Sequence, residues 1–379
     1  MRIACHRFFR KAAHRGTGAM LAAATLALGT AAVAVLAGTS RPALGAHAGA
    51  AGAAIAPRPP RLSGTGLYAP SSTTEIRSTN LSFTPQYPLW SDGATKRRWI
   101  SLPPGTWIDA SNPNAWVFPR GTKLWKEFSM GRPVETRFIE RLVDGSWRFS
   151  AYVWNEAGTD AVLAPAAGIR ALPVATAPRG RYAIPGEADC RACHAGAAAP
   201  VLGFGALQLS PERDPLAPHG EALRADDLDL RALVARGLVR NLPPALLRQP
   251  PQIAAASAEE RAALGYLHAN CGHCHNTVDS GAGVPVGLDL AHDVTGGAAG
   301  VARNLRTMLG QTSRFKASAE GTGTIVAPGD AQASILPWRM RTRNPNTQMP
   351  PLGTDVVDTE GLALIERWIN LNPKKEPTP

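Results

Sequence analysis

The sequence predicts a multidomain α+β protein in which an N-terminal antiparallel β-sandwich is followed by mainly α-helical domains. The chain has 379 residues, enough for two or three domains with separate cores. Seven of its nine Trp residues lie within residues 61–178, among short alternating apolar runs that indicate strands. Four of its five Cys residues and the clearest amphipathic stripes lie beyond residue 178, which predicts a change of architecture there.

Residues 1–45 resemble a secretory leader. Five basic residues precede the apolar stretch from Ala19 to Gly38, and small residues before Ala46 suit cleavage. No paired arginines precede the stretch, which favours the general secretory (Sec) pathway and a periplasmic or otherwise exported protein. Cys5 would leave with the leader. An uncleaved anchor is the alternative, although its Ala, Gly and Thr content makes the stretch a weak membrane span.

The leader also explains much of the positive charge. The net charge is +11 at pH 7, but residues 1–45 hold six Lys or Arg and no acid, which leaves +5 for the remainder. This balance gives no support to a nucleic-acid partner. The following residues, 46–60, are Ala, Gly and Pro with almost no side chain that can anchor them, so a disordered linker is expected.

Residues 61–178 are predicted to form the β-sandwich. Its clearest element is a hairpin, in which residues 132–142 alternate, Asp144-Gly145 turns the chain, and residues 147–153 alternate on the return. This domain is interpreted as a docking or substrate-presenting module with no assigned role. The run Lys96–Arg98 is interpreted as a solvated edge strand. Solvated strand charge is likewise the simpler explanation of its scattered acids, which are Asp92, Glu127, Glu135, Glu140, Glu156 and Asp160.

A Cys-x-x-Cys-His run occurs twice and carries the chemistry of the chain. Cys190, Cys193 and His194 form the first run, and Cys271, Cys274 and His275 form the second. In this spacing two thiols add across the vinyl groups of one haem while the adjacent imidazole ligates its iron. The sequence therefore predicts two covalently attached haems of the c type, with His194 and His275 as axial ligands.

Three other interpretations of the four cysteines stay open. Paired thiolates suit a tetrahedral zinc site, but that site leaves both His residues unexplained. Disulfides within each run would close only a tiny loop and constrain little. A thioredoxin-like pair needs a strand-to-helix setting. The residues before Cys190 are instead predicted to be a loop.

Residues 179–255 form the first haem segment, with a helix predicted over Ala225 to Leu238. No Met occurs from Gly131 to Thr307, so a local Met cannot be the second axial ligand. His219 is the nearest imidazole after the run and is one candidate. Met130 from the β domain and an open iron position are the others. An open iron binds small ligands, whereas a closed one only passes electrons.

Residues 256–373 are predicted to form a helical domain around the second haem, before a tail at 374–379. A capping box at Ser257–Glu260 starts a helix that ends near Ala269, just before Cys271. A second helix begins near Asp358, and we expect it to cross close to Gly265 and bury Trp368.

Met349 lies between those two helices, 74 residues after His275, and is the predicted distal ligand of the second haem. Met340 and Met308 are rivals that suit core packing better. Arg339, Arg341 and Arg343 alternate nearby, and haem propionates, a partner surface or solvent are their expected contacts.

Several stretches together resemble known proteins. The two Cys-x-x-Cys-His runs, the Met349-Pro350 loop and the closing helix resemble class I cytochrome c, a fold of helices around one haem. Across residues 61–372 the chain also resembles a family of exported bacterial dihaem cytochromes with an N-terminal β domain. The stretches that carry this second resemblance are Tyr87–Ala94, Glu135–Arg137, Tyr152–Asn155, Thr159–Ala161, Pro328–Asp330 and Met349–Pro351. The first haem segment departs from a tandem cytochrome, because it lacks a capped helix before Cys190 and a Met-Pro loop after it.

The resemblance implies haem binding and electron transfer with a redox partner protein or a small electron donor or acceptor. Membrane association is expected only if the leader is retained. The alternative is a dihaem peroxidase or oxidase with an open iron position at the first haem. A third class, an adhesion or carbohydrate-binding protein that uses the β domain, has no supporting motif.

Overall fold

The largest sheet of the described residues is antiparallel and has six strands. The structure is a computed structural model that describes residues 55–278, 284, 286–315 and 323–372. The strands, in chain order, are β1 (Leu81–Ser82), β2 (Thr95–Ser101), β3 (Ile108–Asp109), β4 (Lys123–Ser129), β5 (Pro133–Arg141), β6 (Trp147–Trp154), β7 (Ala161–Leu163), β8 (Ile169–Pro173), β9 (Arg181–Ile184) and β10 (Val239–Arg240). The large sheet has the order β1-β2-β4-β5-β6-β7. Two small two-stranded sheets pair β10 with β3 and β8 with β9.

The predicted hairpin is confirmed as the centre of this sheet. Strands β5 and β6 pair with Arg141 opposite Trp147. The Asp144 carboxylate accepts a hydrogen bond from the Ser146 amide at 2.8 Å, and Gly145 adopts φ 91°, a left-handed conformation that favours glycine. Turn chemistry and strand alternation therefore agree, which fixes the register.

The two faces of the sheet pack against different partners. One face carries Trp99, Trp125 and Tyr152, which pack on Leu62 and Leu67 of the N-terminal segment. Phe149 lies on the opposite face and packs on the ring of His194 in the first Cys-x-x-Cys-His motif. The antiparallel sheet is thus confirmed, but the predicted sandwich is not formed by two comparable sheets. Its second layer is built largely by the helical half of the chain, which begins at residue 187; the described residues before it are called the β half.

The α-helices of the described residues are short and follow the sheet. In chain order they are α1 (Glu187–His194), α2 (Leu230–Ala235), α3 (Ala245–Arg248), α4 (Ala258–Asn270), α5 (Gly297–Arg306), α6 (Ile335–Arg341) and α7 (Thr359–Leu371). All described residues belong to one compact unit. The segments predicted at 61–178, 179–255 and 256–373 therefore pack into a single body.

The capping signals around the second motif are confirmed. Ser257 Oγ accepts from the Glu260 amide at 3.0 Å and starts α4, while Asp358 Oδ1 accepts from the Gly361 amide at 2.9 Å and starts α7. The predicted helix over residues 225–238 is shorter than expected. The Asp229 carboxylate caps the Ala232 amide at 2.7 Å, so α2 begins only after that residue.

The close approach predicted at Gly265 exists, but its partner was predicted wrongly. A Cβ atom on Gly265 would lie 2.1 Å from Tyr87 Cε1, so the missing side chain admits a ring from the β half of the chain and not helix α7. Helix α7 approaches α4 through its own Gly361, where a Cβ would lie 2.4 Å from the Tyr266 ring. Trp368 is buried as expected.

Several predictions fall on residues that the structure does not describe. These are the leader with Cys5, the linker up to residue 54 and the tail at 374–379. Within the described ranges, every helix is too short or too polar to cross a membrane.

Replacing Gly265 with Ala should strongly destabilise the protein. The new methyl group overlaps the Tyr87 ring, and overpacking of this kind costs about 3 kcal/mol of unfolding free energy. Denaturant titration of the exported protein measures this loss. Gly205→Ala is the control, because no atom lies within 4 Å of a Cβ added there. Equal stability of the two variants would contradict the contact.

Candidate cofactor cavity

Both Cys-x-x-Cys-His motifs line the same cavity, which has a volume of about 590 Å³. It lies between the sheet and the helical half of the chain, and the exposed surface of its wall is mostly apolar. The motif side chains at its wall are Cys190, Cys193, His194, Cys271, Cys274 and His275. The corresponding residues of the two motifs are 81 positions apart in the chain and are therefore brought to one site.

The first motif lies on a capped helix, which corrects the predicted loop. Strand β9 ends at Ile184 and α1 begins three residues later, with the Asp189 carboxylate accepting from the Gly186 amide at 2.9 Å. The short Gly-to-Asp cap was missed because no Ser, Thr, Asp or Asn stands at the N-cap position. The two thiols lie three residues apart on this helix, a spacing that puts them on one face.

The second motif follows helix α4 directly. Cys271 is the C-cap of that helix, and its carbonyl accepts from the amides of Cys274 at 3.0 Å and His275 at 2.9 Å. The His275 carbonyl accepts from the Leu290 amide at 2.8 Å. The chain therefore makes one more helix-like turn that presents both thiols and the imidazole from a rigid support.

Hydrogen bonds join the two motifs to each other. Asn276 Nδ2 donates to the Gly196 carbonyl at 3.0 Å and to the Gly272 carbonyl at 2.9 Å, so it ties the segment after α1 to the second motif. The Cys274 thiol lies 3.9 Å from the carbonyl of Ala192, between the two cysteines of the first motif. These contacts place the motifs side by side.

The imidazole of the first motif is held in a ligand-ready form. His194 Nδ1 lies 2.7 Å from the Pro200 carbonyl, which makes Nδ1 the protonated nitrogen and leaves Nε2 with its lone pair. The ring packs on Phe149 at a centroid distance of 4.9 Å. Burial lowers the pKa of His194 to about 4, so the ring is neutral at pH 7.

The imidazole of the second motif has an unsatisfied atom. His275 Nδ1 is buried, and none of the described atoms forms a hydrogen bond with it. Burial, with a contribution from Arg339, lowers the pKa of His275 and keeps the ring neutral. A neutral buried ring with an unpaired nitrogen needs a partner, and metal ligation by the imidazole is one way to supply it.

The four thiols are free, and none has the low pKa of a redox nucleophile. Burial raises the pKa of Cys190 and of Cys193 to about 11, and that of Cys271 to about 12. The strand-to-helix setting that a thioredoxin-like pair needs is present at β9 and α1, contrary to the prediction. Raised thiol pKa values nevertheless oppose that chemistry, which needs a thiolate.

The described residues contain no group of three or more His, Cys, Asp or Glu side chains that could hold a metal ion. The four thiols are therefore not gathered into the tetrahedral arrangement of a zinc site in this structure.

Met349 reaches the cavity from the loop after α6. Its amide donates to the Arg339 carbonyl at 2.9 Å, which ties the loop to the helix, and the side chain is half-buried in the wall. Met340 also lines the cavity, whereas Met308 is fully buried in the core. Met130 is buried on the sheet among residues such as Phe128 and is not part of the cavity wall.

His219 does not lie at the cavity. Its Nε2 is 2.8 Å from an Asp358 oxygen, and its Nδ1 is 3.2 Å from a Glu360 oxygen. The ring also packs on Trp90 at a centroid distance of 4.7 Å. Both nitrogens thus face carboxylates at the start of α7, so the structure does not bring His219 together with the other predicted ligands.

The three alternating arginines have three different roles. Only Arg339 lines the cavity, where its guanidinium lies over Phe315. Arg341 pairs with Glu366 of α7. Arg343 donates to the Thr354 hydroxyl at 3.1 Å and so closes the loop that carries Met349.

The charged face of the sheet is the part of the site that the sequence analysis missed. Lys96 and Arg98 were interpreted as solvated, but they are only 7% and 4% exposed and face the interior, while Arg97 between them is exposed. Glu127 and Glu135 are also buried, each paired with an arginine. The alternation of side chains along a strand could have predicted this burial, because it places residues 96 and 98 on the same face of the sheet.

His273 is a second omission. It stands between the cysteines of the second motif and lines the cavity, where burial lowers its pKa to about 4. It is therefore a further neutral imidazole at the site.

The segment Tyr87–Ala94 positions the second motif. Tyr87 packs on Gly265, and the Trp90 amide donates to Asn270 Oδ1 at 2.8 Å, at the last residue of α4. The Asp92 carboxylate accepts from the amides of residues 355 and 356 at 2.9–3.0 Å. One loop of the β half thus fixes both helices that flank the second motif.

Comparison with known proteins adds no relative to this description. No protein-family model matches the chain, and no curated protein or solved structure matches it either. The cytochrome resemblance therefore stays a prediction.

Asn276→Ala should loosen the junction between the two motifs. The change removes two hydrogen bonds, each worth about 1 kcal/mol, so unfolding free energy should fall by about 2 kcal/mol. Denaturant titration of the exported protein is the measurement. Asn372→Ala is the control, since it removes one local bond of 2.8 Å to the Trp368 carbonyl. An Asn276→Ala variant as stable as this control would count against the junction.

Proposed function

We propose that the chain is an exported dihaem c-type cytochrome that transfers electrons between redox partners. One haem would be bound covalently through Cys190 and Cys193, and the other through Cys271 and Cys274. The observation that carries this proposal is that both motifs, together with Met349, line one cavity.

The residues at the cavity fit this cofactor. The mostly apolar wall of the cavity suits a flat aromatic ring system. The thiols are half-buried and their pKa values are raised, so they are protonated at pH 7, as suits groups that become uncharged thioethers. His194 and His275 are both neutral, because burial lowers the pKa of each ring, and a neutral imidazole is the form that binds iron.

A bound haem supplies an iron that changes oxidation state, while the protein supplies ligands, burial and orientation. His194 is oriented by the Pro200 carbonyl, and His275 by the turn that follows α4. Met349 is held near the second site by its backbone bond to Arg339 and would be the sulfur ligand there.

The neighbouring positions of the motifs support electron sharing between the two sites. Cys274 lies 3.9 Å from the backbone of the first motif, and Asn276 bonds directly to the segment that follows it. A donor that reaches either site would therefore supply both. The helices α4 and α7 around the second motif would correspond to the cytochrome c-like domain. Export fits covalent haem attachment, which in bacteria occurs outside the inner membrane.

The rival function is a dihaem peroxidase or oxidase with an open position at the first iron. One observation favours it: His219, the candidate second ligand for that iron, is held by Asp358 and lies away from the cavity. Ferric absorption spectra separate the two functions. Two low-spin haems support electron transfer, whereas a high-spin band that shifts with cyanide supports the enzyme.

The mass of the intact exported protein tests the proposal itself. We expect the mass of the polypeptide without residues 1–45 plus two haems, because four thiols line the cavity in two matched pairs. Cys193→Ser should weaken attachment at the first site only, and Cys274→Ser at the second only. A colourless product with the mass of bare polypeptide, from a host that attaches c-type haem, would end the proposal.

Replacing Met349 with Leu should change the second haem. Leucine keeps the approximate volume but removes the sulfur, so the weak sulfur-to-iron absorption should disappear and the reduction potential should fall. Met308→Leu is the control, because Met308 is buried in the core away from the cavity wall. Loss of the absorption in both variants, or in neither, would argue against Met349 as the ligand.

A further inference from the structure

A row of three cations crosses the face of the sheet that closes the cavity. Arg98 of β2 lies directly opposite Lys126 of β4, and Lys126 lies directly opposite Arg137 of β5. All three residues line the cavity. Like charges at directly opposed positions of neighbouring strands destabilise a sheet, so this row needs a stabilising partner.

Protein carboxylates neutralise the two ends of the row. Arg98 makes a two-bond pair with Glu221 at 2.9 and 2.8 Å, and Arg137 makes one with Glu135 at 2.8 and 3.0 Å. Tyr182 also donates to Glu135, at 2.8 Å. These two-pronged pairs fix both guanidinium groups against the sheet.

The middle of the row has no such partner. Among the described residues, no carboxylate lies within ion-pair distance of the Lys126 ammonium, which lies 5.1 Å from the centre of the Phe128 ring. Lys126 is half-buried, whereas Lys96, two residues before Arg98 on the same face, is buried without a carboxylate partner in the described chain. Four cations therefore share this face with two carboxylates, Glu135 and Glu221.

We propose that the row Arg98–Lys126–Arg137 is a carboxylate-binding site, with Lys126 as its central contact. Lys126 is the one cation of the row without a protein carboxylate, so a carboxylate in the cavity would complete the pairing. A buried charge is stable only when it is paired, and the cavity holds the space for the pairing group.

The site belongs to the first motif. Phe149 lies on the same face of the neighbouring strand β6 and packs on the His194 ring. The row and the first motif therefore enclose the same part of the cavity. On this proposal the β half of the chain is a wall of the cofactor site and not a separate docking module.

Two molecules could supply the carboxylates. One is the haem that we propose at the first motif, through its two propionates, and this source rests on the proposed function. The other is a free dicarboxylate that enters the cavity. Both use the same chemistry, so the experiment must separate them.

Whether Lys126→Met lowers or raises the melting temperature tests the site. If carboxylates are bound, Lys126→Met leaves them unpaired, and the melting temperature of the exported protein should fall by roughly 5 °C. If none is bound, the same change removes an unpaired cation between two others, and the melting temperature should rise. Lys126→Arg keeps the charge and should melt like the wild type.

Lys123→Met is the matched control. Lys123 lies on the same strand but three residues away, on the other face, where its ammonium donates to the Thr65 carbonyl at 3.0 Å. Its loss should lower the melting temperature less than Lys126→Met does. A rise in Lys126→Met, a fall no larger than that of the control, or an equal fall in Lys126→Arg would overturn the site.

Added succinate at constant ionic strength identifies the source. A free dicarboxylate site predicts that succinate raises the melting temperature of the wild type but not of Lys126→Met. Bound propionates predict no effect of succinate on either protein, and a lower reduction potential in Lys126→Met. The mass of the same samples gives the number of haems bound and so separates the two proposals. The stability change without bound haem would support the carboxylate site and contradict the proposed function. Bound haem without the stability change would support the proposed function and contradict the carboxylate site.

Discussion

The contact between Tyr87 and Gly265 is the constraint on which the rest of the site depends. The Tyr87 ring occupies the space that a side chain at position 265 of α4 would need. The Tyr87 hydroxyl donates a hydrogen bond to Asp214 at 2.9 Å. Two further hydrogen bonds belong to the same joint between the β half and the helical half. Trp90 bonds to the last residue of α4, and Asp92 bonds to the backbone just before α7. Because α4 leads directly into the second motif, the position of Cys271 relative to the sheet is set by this joint. The cavity is the space that the joint leaves between the two halves.

The charged sheet face follows from that arrangement. Once the helical half covers the sheet, the polar residues on the covered side must be paired, since burying an unpaired charge costs several kcal/mol. Arg98 meets this demand with Glu221, which is 123 positions away in the chain, and Arg137 meets it with Glu135 on its own strand. The Arg98–Glu221 pair therefore forms only when residues 179–255 lie on the sheet.

The sequence predicted what depends on local chemistry and missed what depends on assembly. The hairpin at Gly145, the caps at Ser257 and Asp358 and the motif spacing are all written in neighbouring residues, and the structure contains each of them. The partner of Gly265, the burial of Lys96 and the contacts of His219 depend on residues more than a hundred positions away. No periodicity encodes such contacts. The cap of α1 was missed for a different reason, because Gly186 at the N-cap has no side chain and the Asp189 carboxylate acts alone.

The protonation of the thiols bears on which chemistry this wall can support. With the pKa of Cys271 raised from 9.0 to about 12 by burial, its thiolate is disfavoured by about 4 kcal/mol relative to an ordinary cysteine. A four-thiolate metal site would have to overcome an opposing effect at every sulfur, since burial raises the pKa of all four thiols. A thioether carries no charge, so covalent attachment to a vinyl group leaves the apolar wall free of buried anions. On the proposed function, the row Arg98–Lys126–Arg137 would meet the carboxylate edge of the same ligand, so the apolar and charged parts of the wall together suit one amphipathic molecule.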